Sequence, residues 1–180
     1  MSRKLFTPIA VLTLLVSLSL VSTAWSVDYQ HSLDIEKMNF SWSVNGDKLD
    51  VKLSAPTTGW VAVGFNPSKK MKDADIIIGY VKKGKVTIKD EFGSAPTQHK
   101  SDEKIGGTSN VTVVGGSEEN GVTTIEFSIP LNSGDTKDSV IDPAADTVII
   151  VGYGTERDSF KVKHVFRDTL TVNLASGQKK

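Results

Sequence analysis

The chain has 180 residues with 21 basic and 21 acidic side chains, so its formal net charge at pH 7 is zero. This balance, with a pI of about 6.8, argues against a dedicated nucleic-acid-binding protein. Cysteine is absent, which excludes disulfides, zinc–thiolate sites, iron–sulfur clusters, thiol nucleophiles and covalent c-type haem attachment. The length fits one domain of ordinary size.

The first 24 residues have the organisation of an export signal. Arg3 and Lys4 give a positive start, residues 9–21 form an apolar run, and residues 22–24 form a small-residue cleavage site before Trp25. The run is shorter than the roughly 20 apolar residues of a spanning helix. The sequence therefore predicts a signal over residues 1–24 and a mature domain over residues 25–180. It also predicts a periplasmic or extracellular location, with membrane tethering if the signal is not cleaved.

Alternation of apolar and polar residues at period two dominates the rest of the chain. It predicts strands over residues 40–44, 49–53, 60–65, 75–81, 85–92, 111–114, 122–129, 147–151 and 169–174. Loops are predicted over residues 93–109, 132–145 and 155–163, and His164 follows the last of them. The pattern predicts an all-β, single-domain antiparallel β-sandwich of about 9–11 strands, immunoglobulin-like or jelly-roll-like in style.

Catalytic motifs are missing from the sequence. It contains no P-loop, no GxGxxG after a strand, no HExxH and no GxSxG. The adjacent carboxylates Asp102-Glu103 and Glu118-Glu119 lie in polar stretches, so we interpret them as solvated charges. His31 and His99 are interpreted as surface residues. The sequence therefore gives no support for a catalyst.

Met71 stands in a polar loop between two strand-like apolar runs. Its neighbours in residues 69–75 are lysines, aspartates and one alanine, so it has no apolar partner in the local sequence. A loop methionine is usually a gap-filler or a residue on a partner-binding surface. Met71 is therefore expected to contact something other than the ordinary core.

Several elements together resemble the DOMON family, the dopamine β-monooxygenase N-terminal-like domains. They are the run GWVAVGF at 59–65, Met71 in the following loop, the run ADIIIGYV at 74–81, Asp90 with Pro96 after it, and HVFR at 164–167. The resemblance extends from Phe40 to Leu174. Family members often have glycine after the arginine of the last element, where this chain has Asp168.

The resemblance implies a cofactor and its ligands. DOMON domains are β-sandwiches that bind b-type haem or a sugar, and the haem-binding members are electron-transfer cytochromes with one Met and one His ligand. Here those positions fall on Met71 and His164, which implies non-covalent haem b and an iron site. Arg167 is either a solvated charge at a strand end or the partner of a haem propionate. The candidate porphyrin contacts, which are otherwise core aromatic residues, are Trp60, Phe65 and Tyr80.

The chemistry of this residue pair agrees with the implied function. Haem without cysteine attachment needs axial ligands from the protein, and a thioether with an imidazole raises the reduction potential relative to two imidazoles. Iron with both axial positions filled transfers electrons and does not activate oxygen. A redox partner protein is then expected, such as a membrane cytochrome or reductase.

Two other classes of function stay open. One is a carbohydrate-binding DOMON module without haem, whose site would be lined by exposed aromatic side chains. The other is a copper-binding or redox-sensing interaction protein that uses Met71 with a histidine, because thioether and imidazole groups also suit copper.

Overall fold

The structure is a computed structural model that describes residues 28–180. The predicted export signal, residues 1–24, lies outside the described residues. Within residues 28–180, no helix is long and apolar enough to cross a membrane.

Strands make up nearly all of the regular structure. In chain order they are β1 (His31–Ile35), β2 (Met38–Asn45), β3 (Lys48–Ala55), β4 (Val61–Phe65), β5 (Asp75–Lys82), β6 (Lys85–Ala95), β7 (Gln98–Ser101), β8 (Thr112–Glu119), β9 (Val122–Pro130), β10 (Asp146–Gly154) and β11 (His164–Asn173). One short 3₁₀ helix, Asp102–Lys104, follows β7.

The strands form two antiparallel sheets that pack face to face. The five-stranded sheet has the order β1-β2-β3-β9-β8, and the six-stranded sheet has the order β11-β10-β4-β5-β6-β7. The predicted all-β antiparallel sandwich is therefore confirmed. The β9–β10 connection, residues 131–145, joins the two sheets, which places that loop at the end of the sandwich.

Tight turns set the register of the hairpins. Lys83 and Gly84 between β5 and β6, like Asn120 and Gly121 between β8 and β9, all have positive φ angles. Two successive residues with positive φ match the twist of the paired strands in a two-residue hairpin loop. These turns fix which side chains face the core, because a slip by one residue would reverse both faces of a strand.

The core lies between the sheets and is built from alternate residues of each strand. Trp42 is fully buried, stacks on Phe40 at 4.7 Å between ring centroids, and donates a 2.8 Å hydrogen bond from Nε1 to the Leu174 carbonyl. Buried Phe65 and Ile77 contribute from the six-stranded sheet. A buried indole needs such a partner for its N–H, so this contact ties the chain end to the core.

Several predicted bounds are wrong. The predicted loop 93–109 contains the end of β6, all of β7 and the 3₁₀ helix. β8 runs to Glu119, five residues beyond the predicted end. The last strand begins at His164, so this residue opens a strand and does not lie in a loop.

The interpretation of the adjacent carboxylates is half right. Glu118 and Glu119 are exposed, as expected. Asp102 is only 1% exposed, and neither of its carboxylate oxygens has a hydrogen-bond partner. The polar sequence around Asp102 hides this burial, because the enclosing groups come from distant segments.

Candidate functional site

One side of the six-stranded sheet faces away from the core, and we call it the outer face. On β4 and β5, Val63 and Ile77 point into the core, so their neighbours along each strand point outward. Two outward residues, Ile76 and Ile78, are nevertheless only 5% and 2% exposed. The outer face therefore carries its own apolar, covered patch.

Small residues form the middle of this patch. Gly64 pairs with Ile150 on β10 and with Ile76 on β5, and the neighbouring Ala62 pairs with Gly152. A Cβ placed on Gly64 would approach Cγ1 of Ile150 to 2.9 Å and Cγ1 of Ile76 to 3.0 Å. This floor is therefore apolar and closely packed, because the two isoleucines fill the space over Gly64 and a larger side chain here would push them apart.

Residues 66–74, the Met71 loop, lie at one end of the outer face. The Met71 N–H donates to the Pro96 carbonyl at 3.4 Å, and the Met71 carbonyl accepts from Ala74 N–H at 3.1 Å. Asp73 N–H donates to the Gly93 carbonyl at 2.7 Å. The loop is polar in composition but is attached to the β6–β7 hairpin through its backbone.

Gly93 is required for this arrangement. It belongs to the outward-facing set of β6, and a Cβ at this position would overlap the Met71 carbonyl oxygen. The Met71 backbone therefore rests directly on the outer face over β6. The Met71 side chain is half-buried.

His164 lies at the other end of the outer face. It pairs with Gly154 at the start of β11, next to a register shift between Tyr153 and Gly154. His164 is exposed, Val165 is 60% exposed, and Phe166 stacks on Tyr153 at 5.4 Å. The two residues after His164 therefore do not enclose its imidazole, because Val165 faces solvent and Phe166 faces the core.

The electrostatic surroundings disfavour protonation of the His164 ring. Partial burial lowers the pKa of this imidazole, and the charges of Arg167 and Lys163 lower it further. A neutral imidazole keeps a ring nitrogen free to bind a metal. Arg167 is exposed and pairs with Gly152 across the β10–β11 ladder.

Residues 155–163, the Phe160 loop, cover the outer face beside His164. Trp60 Nε1 donates to the Val162 carbonyl at 3.1 Å, and its ring packs over Gly154. The Phe160 ring lies 4.7 Å from that of Tyr80, and Lys89 Nζ lies 4.9 Å from the Phe160 ring centroid. Aromatic contacts thus hold this loop on β5 and β6.

We expect Phe160→Ala to loosen this cover without unfolding the sandwich. Aromatic pairs contribute about 0.5–1.5 kcal/mol beyond the area they bury, so the loss of stability should be at least of that size. Amide exchange should accelerate in residues 155–163 and stay unchanged in β2 and β3. Equal acceleration in both regions would contradict a local role for Phe160.

The structure brings the candidate residues onto the outer face with one exception. Trp60, Tyr80 and the backbones of Met71 and His164 belong to this side, whereas Phe65 packs in the main core. Met71 and His164 lie at opposite corners, over β6 and on β11, and four strand spacings of about 4.8 Å separate these strands. Binding one metal with both side chains therefore requires the loops to approach each other.

Another histidine lies closer to the Met71 loop. His99 is on β7, which pairs with β6, and its Nδ1 contacts the carboxylate of buried Glu91. Sequence reasoning missed this pairing, since the two residues are joined only by the β6–β7 hairpin. Glu91 thus occupies one ring nitrogen of His99.

Comparisons with known proteins agree on the family and the fold. The sequence model described as "DOMON domain" matches residues 33–154, a range that includes Met71 and ends before His164. The human protein named DBH-like monooxygenase protein 1 is 31% identical over 118 residues, 65% of this chain and 19% of that protein. Its mouse counterpart is 30% identical over 108 residues, 60% of this chain and 17% of that protein. The chain thus spans about a fifth of these relatives.

Two solved structures share the fold at low sequence identity. The cytochrome b domain of pyranose dehydrogenase from Coprinopsis cinerea has a TM-score of 0.60 and 12% identity, with 78% of each chain covered. The cytochrome domain of Myriococcum thermophilum cellobiose dehydrogenase has a TM-score of 0.56 and 10% identity, with 83% of this chain and 89% of that chain covered.

Proposed function

Because this chain belongs to the DOMON domain family, we propose that it is a non-catalytic electron-transfer domain that binds haem b without a covalent bond. Met71 and His164 are the proposed axial ligands. The observation that carries the proposal is the apolar floor of the outer face, which lies between a thioether at one corner and an imidazole at the other. The likeness to two cytochrome domains supports it.

The residues present suit this cofactor. A bound haem would supply a one-electron iron couple, and the protein would supply the ligands and a dry contact surface. The floor around Gly64, Ala62 and Gly152 offers an apolar contact surface, and the buried Ile76 and Ile78 keep water from it. A soft thioether and an imidazole are the donors that a low-spin haem iron takes.

The residues around the proposed ligands have distinct roles. Trp60 and Tyr80 hold the Phe160 loop in place beside His164, and Arg167 offers a planar cation to an acidic edge of the bound group. Phe65 packs in the main core and supports the site only indirectly. Joint ligation requires the segments that carry Met71 and His164 to approach each other, because four strand spacings separate β6 from β11.

The proposal extends to the setting of the domain. Residues 1–24 would direct export to the periplasm or the cell exterior, and residues 25–180 would form the mature domain. The two similar cytochrome domains are, by their names, parts of dehydrogenases. A partner reductase, dehydrogenase or membrane cytochrome would therefore exchange electrons with this domain. The monooxygenase activity in the relatives' names is not part of the proposal.

The carbohydrate alternative has less support. Sugar-binding sites stack the ligand on exposed aromatic rings, and within residues 28–180 every aromatic side chain is buried or half-buried. The large hydrophobic residues that are exposed in this range are all valines. A copper site at Met71 would draw on His99, whose Nδ1 already contacts Glu91.

Haem titration of the purified protein tests the proposal. We expect one haem per chain, a Soret band, sharp α and β bands after reduction, and a melting temperature that rises with haem concentration, since a ligand bound only by the folded state stabilises it. If the protein leaves the spectrum of added haem unchanged and its melting temperature shifts with a glycan, the proposal is refuted and the sugar alternative is supported.

A further inference from the structure

A second site lies between the sheets, away from the outer face. Four aspartates from distant parts of the chain converge there, and we call them the acidic cluster. They are Asp75 at the start of β5, Asp90 on β6, Asp102 in the 3₁₀ helix and Asp138 in the β9–β10 connection. Carboxylate oxygens of Asp75, Asp90 and Asp138 all lie within 4.8 Å of one another.

Three members of the cluster are buried, Asp138 is half-buried, and all four lack partners of opposite charge among the described residues. Asp75, Asp90 and Asp102 are 5%, 4% and 1% exposed. Oδ1 of Asp75, Oδ1 of Asp90, Oδ1 of Asp138 and both oxygens of Asp102 have no hydrogen-bond partner among the described residues. None of the four forms a salt bridge within residues 28–180. Buried charges are normally paired or bound to a metal, since desolvating an isolated charge is costly.

A neighbouring aspartate shows what a satisfied carboxylate looks like in this region. Asp135 accepts hydrogen bonds from Thr108 N–H at 2.6 Å, from Thr108 Oγ1 at 2.8 Å and from Lys137 N–H at 2.8 Å. These bonds lower the pKa of Asp135. Asp135 therefore needs no further partner, in contrast to the acidic cluster.

The physical consequence of the missing partners is strong repulsion. Burial raises the pKa of Asp102 to about 8, and the charges of Asp90 and Asp138 add to it. Burial raises the pKa of Asp75 well above its ordinary value, and the charge of Asp90 raises it further. The fold thus concentrates carboxylates that resist ionisation unless a cation joins them.

We propose that the acidic cluster binds one calcium ion that ties β5, β6, the 3₁₀ helix and the β9–β10 connection together. All the donors are oxygens, which hard cations prefer. Each oxygen ligand lies about 2.3–2.6 Å from a calcium ion, so two ligands of one ion are at most about 5 Å apart. The carboxylate oxygens of Asp75, Asp90 and Asp138 meet this limit. Magnesium requires shorter bonds of about 2.0–2.1 Å and near-ideal octahedral geometry.

Calcium at this position would also steady the Met71 loop. Asp75 follows the loop directly, and the Gly93 N–H donates to the Ala74 carbonyl at 2.8 Å. A calcium ion that holds Asp75 against Asp90 would therefore also hold the β5–β6 strand pair, on which Met71 rests, in place. The calcium site itself does not depend on haem, so it can be tested on haem-free protein.

Thermal melts and calorimetric titration of the chelator-treated full chain test the inference. We expect one calcium per chain and a rise in melting temperature of about 5–10 °C at calcium about 100-fold above Kd. Magnesium at equal concentration should give a clearly smaller rise. Amide exchange at residues 72–75 should slow when calcium is added.

The variants separate a metal site from a merely structural cluster. Asp90→Asn keeps an oxygen for the Asn110 N–H, which lies 2.7 Å from Oδ2, and removes one repelling charge. In chelator it should melt at or above the wild-type temperature, yet lose the calcium-induced rise. Asp138→Asn should behave alike, and the exposed Asp47→Asn should respond like wild type. No response of the wild type up to about 10 mM calcium, an equal response to magnesium, or a full calcium response in both cluster variants would overturn the proposal.

Discussion

Replacing Met71 with alanine should abolish the six-coordinate, low-spin spectrum of the haem-loaded protein while the sandwich stays folded. Met71 is half-buried in a loop and contributes nothing to the main core, so its removal costs little stability. His164→Ala should have the same spectral effect, because it removes the second ligand from an exposed strand end. Visible spectra and circular dichroism of the same samples provide the measurement.

Two further variants make this result specific. His99→Ala should leave the spectrum unchanged, since His99 Nδ1 is engaged by Glu91. Met71→His should restore a six-coordinate spectrum with a lower reduction potential, because two imidazoles stabilise the oxidised iron more than a thioether does. Loss of the low-spin spectrum in His99→Ala and its retention in His164→Ala would mean that the histidine assignment is wrong.

Gly93→Ala should weaken haem binding by more than tenfold, although Gly93 itself does not bind the iron. The new methyl group would overlap the Met71 carbonyl oxygen, so the loop must lift from β6. Overpacking of this kind typically costs about 1–3 kcal/mol. Haem titration should show the loss of affinity, and amide exchange should accelerate in residues 68–74.

The matched control is Gly115→Ala on β8. A Cβ there meets nothing within 4 Å, and the change removes one glycine from a strand in the other sheet. Haem affinity should stay at the wild-type level. If Gly93→Ala binds haem as tightly as Gly115→Ala, the placement of Met71 over β6 is not needed for binding.

The sequence allowed the sandwich to be predicted wherever a strand has one buried face. Leu49, Val51 and Leu53 alternate with polar residues, and Gly46 marks the turn before them. Strands β1 and β7 were missed because they are short edge strands, of 5 and 4 residues. β7 reads QHKS and buries no apolar face, so it has no periodic signal, and polar residues are common on such edges.

The site was predictable only in part. Met71 was identifiable because an apolar side chain stood among charges. Gly64 and Ala62 read as ordinary strand residues, since only the sheet order shows that they share a floor with Gly152. Asp75 and Asp90 are distant in sequence, and the β5–β6 register brings them to one side of the sheet. Burial of Asp102 was likewise invisible, because its surroundings come from other segments.

The most direct test of the central claim is the ferric spectrum in the region of the charge-transfer band that a methionine sulfur gives when bound to haem iron. We expect the band in the wild-type protein, its absence in Met71→Ala, and its loss when imidazole or cyanide is added to the ferric form. The ferrous form should resist displacement more, because a soft thioether binds the lower oxidation state more tightly. A haem-loaded wild-type protein without this band, or with the same band in Met71→Ala, would contradict a methionine-ligated haem at the outer face.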